Sequence, residues 1–321
     1  MKRMNGHDAF DEALIEEMKR DKNVVYYGED VTGYFYHPKV LEAVGEEQIF
    51  NAPIAEALIG ETAVGMAIMG MRPVADMNMN DFFAISANAV INDAAKVRFW
   101  SCGTASCPVV FTGMQGVAGG MGSTHTQIPT GWFANVPGVK IVLPSTPADM
   151  KGLLKTAIRD NDPVIFLRHN TLDYIEGNVP EGEYTIPFGQ ARIAREGTDV
   201  TVVCWQIAYK YAMELAEELA EEGISLEVID PRTICPLDMK TIKQSVLKTG
   251  RLVIAHEEPY KFGPGTEMIC ELMEAGIELK APPIRACTPM TAIPALSLEW
   301  QAVVNKPQIK NAIYKVMGKT E

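Results

Sequence analysis

The chain has 321 residues, of which 47% are hydrophobic, and it carries a formal net charge of −12. A chain of this length can bury a sizeable core, and it indicates two domains. Nucleic-acid-binding proteins present a basic face, and the acidic balance with no Lys/Arg cluster excludes that class. No stretch is long and apolar enough to cross a membrane, and the N-terminal residues lack a secretory signal. We therefore expect a cytoplasmic protein.

Short apolar runs alternate with longer helical patterns in the first half of the chain, which is typical of a parallel sheet with crossover helices. Strands are predicted at residues 24–27, 72–77, 108–111, 140–143 and 164–167. Helices are predicted at residues 54–69 and 82–98, and a third helix is capped by Ser145 or Thr146 and runs to Arg159.

The second half repeats this alternation on a smaller scale after a polar stretch without a clear period. Strands are predicted at residues 200–204, 225–229 and 252–255, and helices at 209–222, after Asp238 and after Gly265. The predicted fold is α/β, with two three-layer domains of mostly parallel sheets. Their boundaries are predicted at residues 1–180 and 199–321, with a linker at residues 181–198.

Glu56 is the first candidate for chemistry, because it lies just inside the predicted helix among Ile54, Ala55, Ala57 and Leu58. Burial among such neighbours raises a carboxyl group's affinity for a proton, which would suit exchange with a ring nitrogen. The alternative is a first-turn glutamate that only complements the helix dipole. Spacing alone favours this second interpretation.

His125 is the second candidate, since it follows a glycine-rich run that lets a side chain approach a ligand closely, and histidine titrates near neutral pH. The alternative is a loop histidine bonded to the backbone. The run lacks the Gly-Lys-Ser/Thr ending of a Walker loop and is therefore a weak phosphate cradle.

Three further features carry weaker signals. Phe82 or Phe83 could stack on a flat heterocycle, although core packing is expected for at least one of them. His256 ends a predicted strand and suits either a site residue or a surface or interface role. The six cysteines form no Cys-x-x-Cys pair, which disfavours a zinc or iron–sulfur site, so we expect most of them to be buried and reduced.

Several short motifs follow one another in a fixed order from the N-terminal half to about Arg285. They include Gly28-Glu29-Asp30, Pro53-Ile54-Ala55-Glu56, Gly70-x-Arg72-Pro73-Val74, Asn92-x-Ala94-Ala95-Lys96, His125-x-Gln127, Lys151-Gly152-Leu153-Leu154, Ala157-Ile158-Arg159-Asp160-Asn161-Asp162-Pro163 and Val228-Ile229-Asp230-x-Arg232-Thr233. Each motif is modest alone, but their common order is specific, and in this order they resemble the beta subunits of thiamine-diphosphate-dependent 2-oxo acid dehydrogenases.

The resemblance implies a pyrimidine-binding domain followed by a transketolase C-terminal domain. It implies that Glu56 bonds the aminopyrimidine ring of thiamine diphosphate, that Glu29, Ile54 and Phe82 lie around the cofactor, and that His125 acts on the bound substrate. It also implies a structural potassium site. Its ligands would be Val109, Ala157, Ile158, Asp160 and Asp162.

The family holds the cofactor's diphosphate through Mg²⁺ with a Gly-Asp-Gly segment, which this sequence lacks. The resemblance therefore implies an alpha subunit that supplies this half of the site, an alpha2-beta2 heterotetramer, and a lipoyl acyltransferase that accepts the acyl group. Pyruvate, acetoin and branched-chain 2-oxo acids remain open as substrates. The sequence departs from the family at Thr112, Thr126 and Thr130, and in residues 287–294, which lack the usual Gly-x-Asp-x-Pro turn.

Two other functions remain open. The chain could be the C-terminal half of a split transketolase, although the glycine run offers no basic residue for a sugar phosphate. It could also be a non-catalytic subunit that only completes an interface, against which the presence of both Glu56 and His125 argues.

Overall fold

The computed structural model describes residues 1–33 and 37–319, which form two compact units. Unit 1 comprises Met1–Gln115 and Trp132–Phe188, and unit 2 comprises Gly116–Gly131 and Gly189–Glu321. Both units combine helices with a mostly parallel sheet, which confirms the predicted α/β class. Among the described residues, no helix has the length and apolar character needed to span a membrane.

The strands are short and largely buried. They are β1 (Lys2–Asn5), β2 (Val24–Gly28), β3 (Ile49–Asn51), β4 (Arg72–Met79), β5 (Val110–Gln115), β6 (Lys140–Val142), β7 (Val164–His169), β8 (Glu176–Val179), β9 (Arg192–Arg195), β10 (Val200–Cys204), β11 (Leu226–Asp230), β12 (Thr233–Cys235), β13 (Leu252–Pro259) and β14 (Ile284–Thr288).

The helices are α1 (Gly6–Arg20), α2 (Pro38–Val44), α3 (Glu56–Ile68), α4 (Val97–Trp100), α5 (Thr130–Phe133), α6 (Pro147–Arg159), α7 (Gln206–Glu221), α8 (Met239–Thr249), α9 (Pro264–Glu274), α10 (Glu299–Ala302) and α11 (Lys306–Met317). Thr146 caps α6 by accepting a hydrogen bond from the Asp149 N–H at 3.2 Å. The sequence analysis did not predict helix α1.

In unit 1 the strands lie in the order β6-β7-β5-β4-β2-β3, and all their pairings are parallel. Every residue of β2 and β7 is buried, as expected for strands covered on both faces. The strands β1 and β8 pair separately as an antiparallel ribbon.

In unit 2 the five-stranded sheet has the order β14-β13-β10-β11-β9, in which only β9 is antiparallel to its neighbour. The strand β9 lies within the predicted linker, whose first part contributes Tyr184 and Ile186 to the core of unit 1. Because residues 181–198 are polar in composition, the sequence predicted neither the strand β9 nor the packing of Tyr184 and Ile186. The predicted domain boundaries also differ from the compact units because Gly116–Gly131 clusters with unit 2.

The helix predicted at residues 82–98 is wrong as a single helix. The segment instead contains a 3-10 helix at Asn80–Ala84, a π-helical turn at Ala89–Asp93, a second 3-10 turn and α4. A Cβ at Gly60 of α3 would lie only 2.9 Å from the Ala89 Cβ. The irregular turns allow the segment around Ala89 to pass this close to α3. Hydrophobic periodicity in the sequence does not predict such an approach.

A buried ion pair lies beneath the strand ends of unit 1. The Asp76 carboxylate on β4 accepts hydrogen bonds from the Tyr26 hydroxyl at 2.5 Å and from the Arg168 guanidinium at 2.9 Å. Arg168 also lies 3.6 Å from Asp173, and its guanidinium stacks on the Phe10 ring at 4.1 Å. The charge of Arg168 is thus compensated on two sides, as a buried cation requires.

Replacing Arg168 with Met should lower the free energy of unfolding by about 3–5 kcal/mol, because it leaves the Asp76 carboxylate buried without its cation. Urea unfolding of the full chain measures this loss. The matched control is Arg3→Met, which breaks an exposed ion pair with Glu176 and should cost less than about 1 kcal/mol. Equal losses for the two variants would contradict the assignment.

Candidate active site

Two carboxyl groups meet at the carboxyl edge of the unit 1 sheet. Glu29 directly follows β2, and Glu56 is the first residue of α3. Glu29 is only 5% exposed and Glu56 only 8%. Burial is the main cause that raises the pKa of Glu29 to about 7, followed by the charges of Glu56, Asp76 and Asp30 and a hydrogen bond with Glu56. Such a bond needs a proton on one carboxyl group, and with a pKa of about 7 Glu29 keeps a proton up to about neutral pH.

The backbone around the pair is fixed by close contacts. The Ala52 N–H donates to the Gly28 carbonyl at 2.8 Å, which ties the segment before α3 to the end of β2. The Tyr27 hydroxyl donates to the Ile59 carbonyl at 2.5 Å, inside the first turn of α3. A Cβ at Gly28 would lie 2.1 Å from the Asp76 carbonyl oxygen, so only glycine fits there. The strand and the helix therefore hold Glu29 and Glu56 at a set separation.

Two apolar side chains flank this edge of the sheet. Ile54 is 77% exposed in the segment that leads into α3. Phe82 is half-buried in the 3-10 helix that follows β4, whereas Phe83 is fully buried and packs edge-on against Phe133 at 5.8 Å. Phe83 is therefore the core residue of the aromatic pair, and Phe82 is the one with exposed surface for a ligand.

The loop that carries His125 belongs to unit 2 and is anchored there by buried carboxylates. The Gly120 N–H donates to Glu299 at 2.8 Å, and the Val117 N–H donates to Glu257 at 3.2 Å. Gly120 has a φ of +84°, and a Cβ there would lie 2.6 Å from the Leu296 Cα. These contacts define the course of a loop that is rich in glycine.

Within this loop, His125 is half-buried and its Nδ1 lies 3.0 Å from the Thr124 hydroxyl. Thr126 is fully buried, and its hydroxyl donates to the Gly122 carbonyl at 2.7 Å. The threonine that departs from the family pattern at position 126 thus closes the turn that presents His125.

Two domain models match the chain, namely the transketolase pyrimidine binding domain over residues 2–172 and the transketolase C-terminal domain over residues 189–309. The beta subunit of acetoin:2,6-dichlorophenolindophenol oxidoreductase from Cupriavidus necator is 39% identical over 96% of each chain. The beta subunit of 2-oxoisovalerate dehydrogenase from Bacillus subtilis is 39% identical over 95% of this chain and 96% of its own. The pyruvate dehydrogenase E1 component subunit beta from Bacillus subtilis is 37% identical over 99% of each.

This chain belongs to the transketolase-like family of 2-oxo acid dehydrogenase E1 beta subunits. The resemblance inferred from the ordered motifs is thereby confirmed. A solved structure titled as a split gene transketolase, an inactive beta4 tetramer, has a TM-score of 0.80 with 20% identity over 99% of this chain and 100% of its own. At that identity the likeness supports the fold alone.

In this E1 beta chain, three cationic side chains contact the corner predicted to bind potassium, and one of them, Arg98, donates to Asp162 at 2.5 Å. The Lys140 ammonium lies 2.7 Å from both carboxylate oxygens of Asp160 and 3.4 Å from Asp162. The Arg72 guanidinium donates to the carbonyls of Ile158 at 3.0 Å and Asp160 at 2.9 Å. The carboxylate of Asp160 is thus already neutralised, and carbonyl lone pairs remain the donors for a further cation.

The other predicted carbonyl donors of this corner are engaged in the backbone of unit 1. The Val109 carbonyl accepts from the Val164 N–H at 2.9 Å, and the Ala157 carbonyl accepts from the Asp160 N–H at 3.2 Å. A carbonyl oxygen has two lone pairs and can serve a second partner, so the potassium site stays a prediction.

The sequence analysis missed the residues that support the site in this E1 beta chain. Asp76 contributes to the raised pKa of Glu29, and Glu257 and Glu299 hold the His125 loop. Glu257 had a weak signal, because it follows the predicted strand that ends near His256. Glu299 had none, since it lies about 180 residues from the loop in sequence.

The proton affinity of Glu29 predicts a pH-dependent stability. Because the pKa rises from its ordinary value to about 7 on folding, the folded chain binds an extra proton between roughly pH 4.5 and 7. The free energy of unfolding should therefore fall through this window, and the total cost at pH 8 is on the order of 3 kcal/mol. Glu29→Gln, which is neutral at every pH, should be more stable than the wild type at pH 8 and similar at pH 5.

Denaturant unfolding at the two pH values tests this expectation. The control is Glu46→Gln at an exposed position, whose effect should be small and the same at both pH values. A Glu29→Gln effect that does not change with pH would show that the Glu29 proton is not bound on folding.

Removing the Glu299 carboxylate should loosen the His125 loop. Glu299→Ala deletes the acceptor of the Gly120 N–H, and loss of a hydrogen bond to a charged group costs about 1.5–3 kcal/mol. We expect amide hydrogen exchange in residues 116–131 to become roughly tenfold to a hundredfold faster, measured by mass spectrometry. Glu299→Gln keeps an acceptor oxygen and is the control. Unchanged exchange in Glu299→Ala would mean that the loop does not depend on this contact.

Proposed function

We propose that this E1 beta chain activates thiamine diphosphate for the oxidative decarboxylation of a pyruvate-like 2-oxo acid, or for the cleavage of acetoin, together with an alpha subunit. The observation that carries the proposal is the proton-holding pair of Glu29 and Glu56 at the carboxyl edge of a parallel sheet. Ligands of open α/β sheets bind at this edge. A buried carboxyl group whose pKa is raised to about 7, as that of Glu29 is, suits proton exchange at neutral pH.

The residues around the pair fit the pyrimidine half of this cofactor. Glu29 has an oxygen that is buried and without a hydrogen-bond partner among the described residues, which marks a polar group awaiting a ligand. Phe82 and Ile54 offer apolar surface for a flat ring. When bound, thiamine diphosphate supplies the electron sink for the cleavage of the bond beside the 2-oxo group.

The protein's own part in this reaction is positioning and proton control. Glu56 would hold a proton at the ring nitrogen that it faces. Glu29 would offer a second position for the same proton, since the two carboxyl groups share a hydrogen bond. His125, with its Nδ1 oriented by Thr124, would orient the substrate or donate a proton to it.

An alpha subunit would complete the site. The chain lacks the Gly-Asp-Gly segment that holds Mg²⁺, so the alpha subunit would bind the metal and the diphosphate. Ile54 and Leu58, beside Glu56, expose apolar side chains in the chain alone, as do Phe99 and Trp100 on α4. Such surfaces are typical of protein interfaces. We expect an alpha2-beta2 heterotetramer in the cytoplasm.

Membership of the E1 beta family also implies an acceptor for the acyl product and a bound cation. The acyl fragment would pass to lipoyl-lysine of an acyltransferase component. A potassium ion would bind through the carbonyl oxygens of the α6–β7 corner, which would stabilise the end of α6 next to Asp160.

Co-expression with the alpha subunit and a dye-reduction assay on a panel of 2-oxo acids tests the proposal. Glu56→Gln should lower turnover at least about a hundredfold while the heterotetramer still assembles, because the amide cannot exchange the proton. The control is Glu61→Gln, an exposed position on the same helix, which should retain activity. Size-exclusion chromatography checks assembly.

The alternatives predict different results in the same assay. Ketol transfer between sugar phosphates without 2-oxo acid turnover would identify a split transketolase. Full activity in Glu56→Gln would overturn the role of Glu56, and activity that resides in the alpha subunit alone would identify a non-catalytic partner.

A further inference from the structure

Three side chains of unit 2 contact one another in a row, with His256 between Glu258 and Cys287. The parallel strands β13 and β14 pair His256 opposite Cys287, which places both side chains on one face of the sheet. The His256 Nε2 lies 3.2 Å from the Cys287 Sγ. On its other side, the His256 Nδ1 lies 2.9 Å from a Glu258 carboxylate oxygen. Carboxylate, imidazole and thiol thus follow one another, as in a nucleophile with its base and orienting group.

The imidazole is held in one orientation. The His256 ring stacks on the Trp205 indole with centroids 4.8 Å apart and planes 12° apart. The indole Nε1–H donates to the other oxygen of Glu258 at 3.1 Å. A Cβ at Gly263 or at Gly265 would lie 2.9 Å from a ring atom, so glycine is needed at both positions for the ring to fit. This packing removes the freedom of His256 to turn away from the sulfur.

The charges of the three groups favour an ionised pair. Burial alone would lower the pKa of His256, but the Glu258 charge and the Cys287 contact outweigh it and raise this pKa to about 10. Burial likewise opposes the ionised form of Glu258, yet the neighbouring His256 lowers the pKa of that carboxyl group. The Nδ1 and the carboxylate are out of line for a regular hydrogen bond, so their attraction is mainly electrostatic. An imidazolium next to a thiol stabilises the thiolate.

We propose that Cys287 is a reactive cysteine, held beside His256 and Glu258, that small electrophiles and hydroperoxides modify. This site is separate from the Glu56 carboxyl pair and does not depend on the proposed decarboxylation. Cys287 is half-buried, whereas His256 and Glu258 are buried. The surface or interface role considered for His256 from the sequence is wrong, because its side chain is fully buried.

The reaction with a hydroperoxide balances without a cofactor. The thiolate sulfur attacks one peroxide oxygen, the O–O bond breaks, and hydroxide or alkoxide leaves with the electron pair. The sulfur is oxidised by two electrons to a sulfenic acid, and the peroxide is reduced. His256 can then protonate the leaving oxygen.

Other charged groups near the sulfur do not oppose this state. Arg285 precedes Cys287 by two residues on the same face of β14 and donates to the Tyr260 carbonyl at 2.7 Å. Glu257 is engaged by the Val117 N–H. The segment from Gly263 to Gly265 contains no charged residue. Arg285 is thus a cationic side chain on the same face of β14 as the sulfur.

The expectation that most cysteines are buried is wrong for Cys102 and Cys270, which are exposed, and Cys235 and Cys287 are half-buried. The exposed pair provides internal controls. Apolar runs in the sequence suggested burial, but Cys270 lies on an exposed side of α9 and Cys102 lies in the turn after α4.

Alkylation with iodoacetamide, followed by peptide mass spectrometry on the full chain, tests the proposal. Only the thiolate form of a cysteine reacts, so a cationic neighbour that stabilises it raises the rate. At pH 7 we expect faster alkylation of Cys287 than of Cys270 in the same samples, although Cys270 is the more exposed of the two. A Cys287 rate equal to or below that of Cys270 would overturn the proposal.

Variants separate the ion pair from simple exposure. His256→Asn should slow the alkylation of Cys287 about tenfold and leave Cys270 unchanged, because the cationic neighbour is lost. Cys270→Ser should leave the Cys287 rate unchanged. If His256→Asn does not fold, the ratio of the Cys287 rate to the Cys270 rate in the wild type decides instead, and a ratio of one or less would refute the proposal.

Hydrogen peroxide with a sulfenic-acid trapping reagent tests the redox step. We expect trapping at Cys287 well ahead of Cys102 and Cys270 at pH 7. Equal trapping at all three, or trapping at the exposed pair alone, would contradict the proposed reactivity toward hydroperoxides.

Discussion

The candidate site depends on a hydrogen bond between two buried carboxyl groups that must keep a proton between them. Ionising Glu29 costs free energy because it is buried and lies next to Glu56, and this raises the pKa of Glu29 to about 7. The surrounding contacts tie the end of β2, at Gly28, to α3, where the Ile59 carbonyl accepts a hydrogen bond from the Tyr27 hydroxyl. Without these contacts Glu29 would move away from Glu56 and regain an ordinary proton affinity.

Further buried charged groups lie beneath Glu29 and Glu56 in the core of unit 1. Asp76 raises the proton affinity of Glu29 and is itself balanced by Arg168 and the Tyr26 hydroxyl. A buried charge is tolerated only where a partner compensates it. The stability of the core and the proton affinity of the site are therefore linked through one carboxylate.

Unit 2 uses carboxylates for a different purpose. Glu257 and Glu299 accept backbone hydrogen bonds from the glycine loop, and Glu258 fixes the charge of His256. Successive residues of β13 thus serve two tasks, because their side chains leave the strand in different directions. The loop that carries His125 follows β5 in the chain but takes its conformation from residues more than a hundred positions later.

The sequence by itself determined the α/β class, the strands that are apolar throughout, and the family, since burial on both faces and ordered motifs leave a local record. It also placed Glu29, Glu56 and Phe82 at strand or helix ends, where parallel sheets gather ligands. It could not determine the broken helix after Phe82, the strand β9 in a polar segment, or the partners of Gly120. Those depend on close approach between distant segments. The proton shared by Glu29 and Glu56, and the ionised state of His256 beside Cys287, were decided only by tertiary structure, because burial and neighbouring charge set a pKa and neither is encoded at a single position.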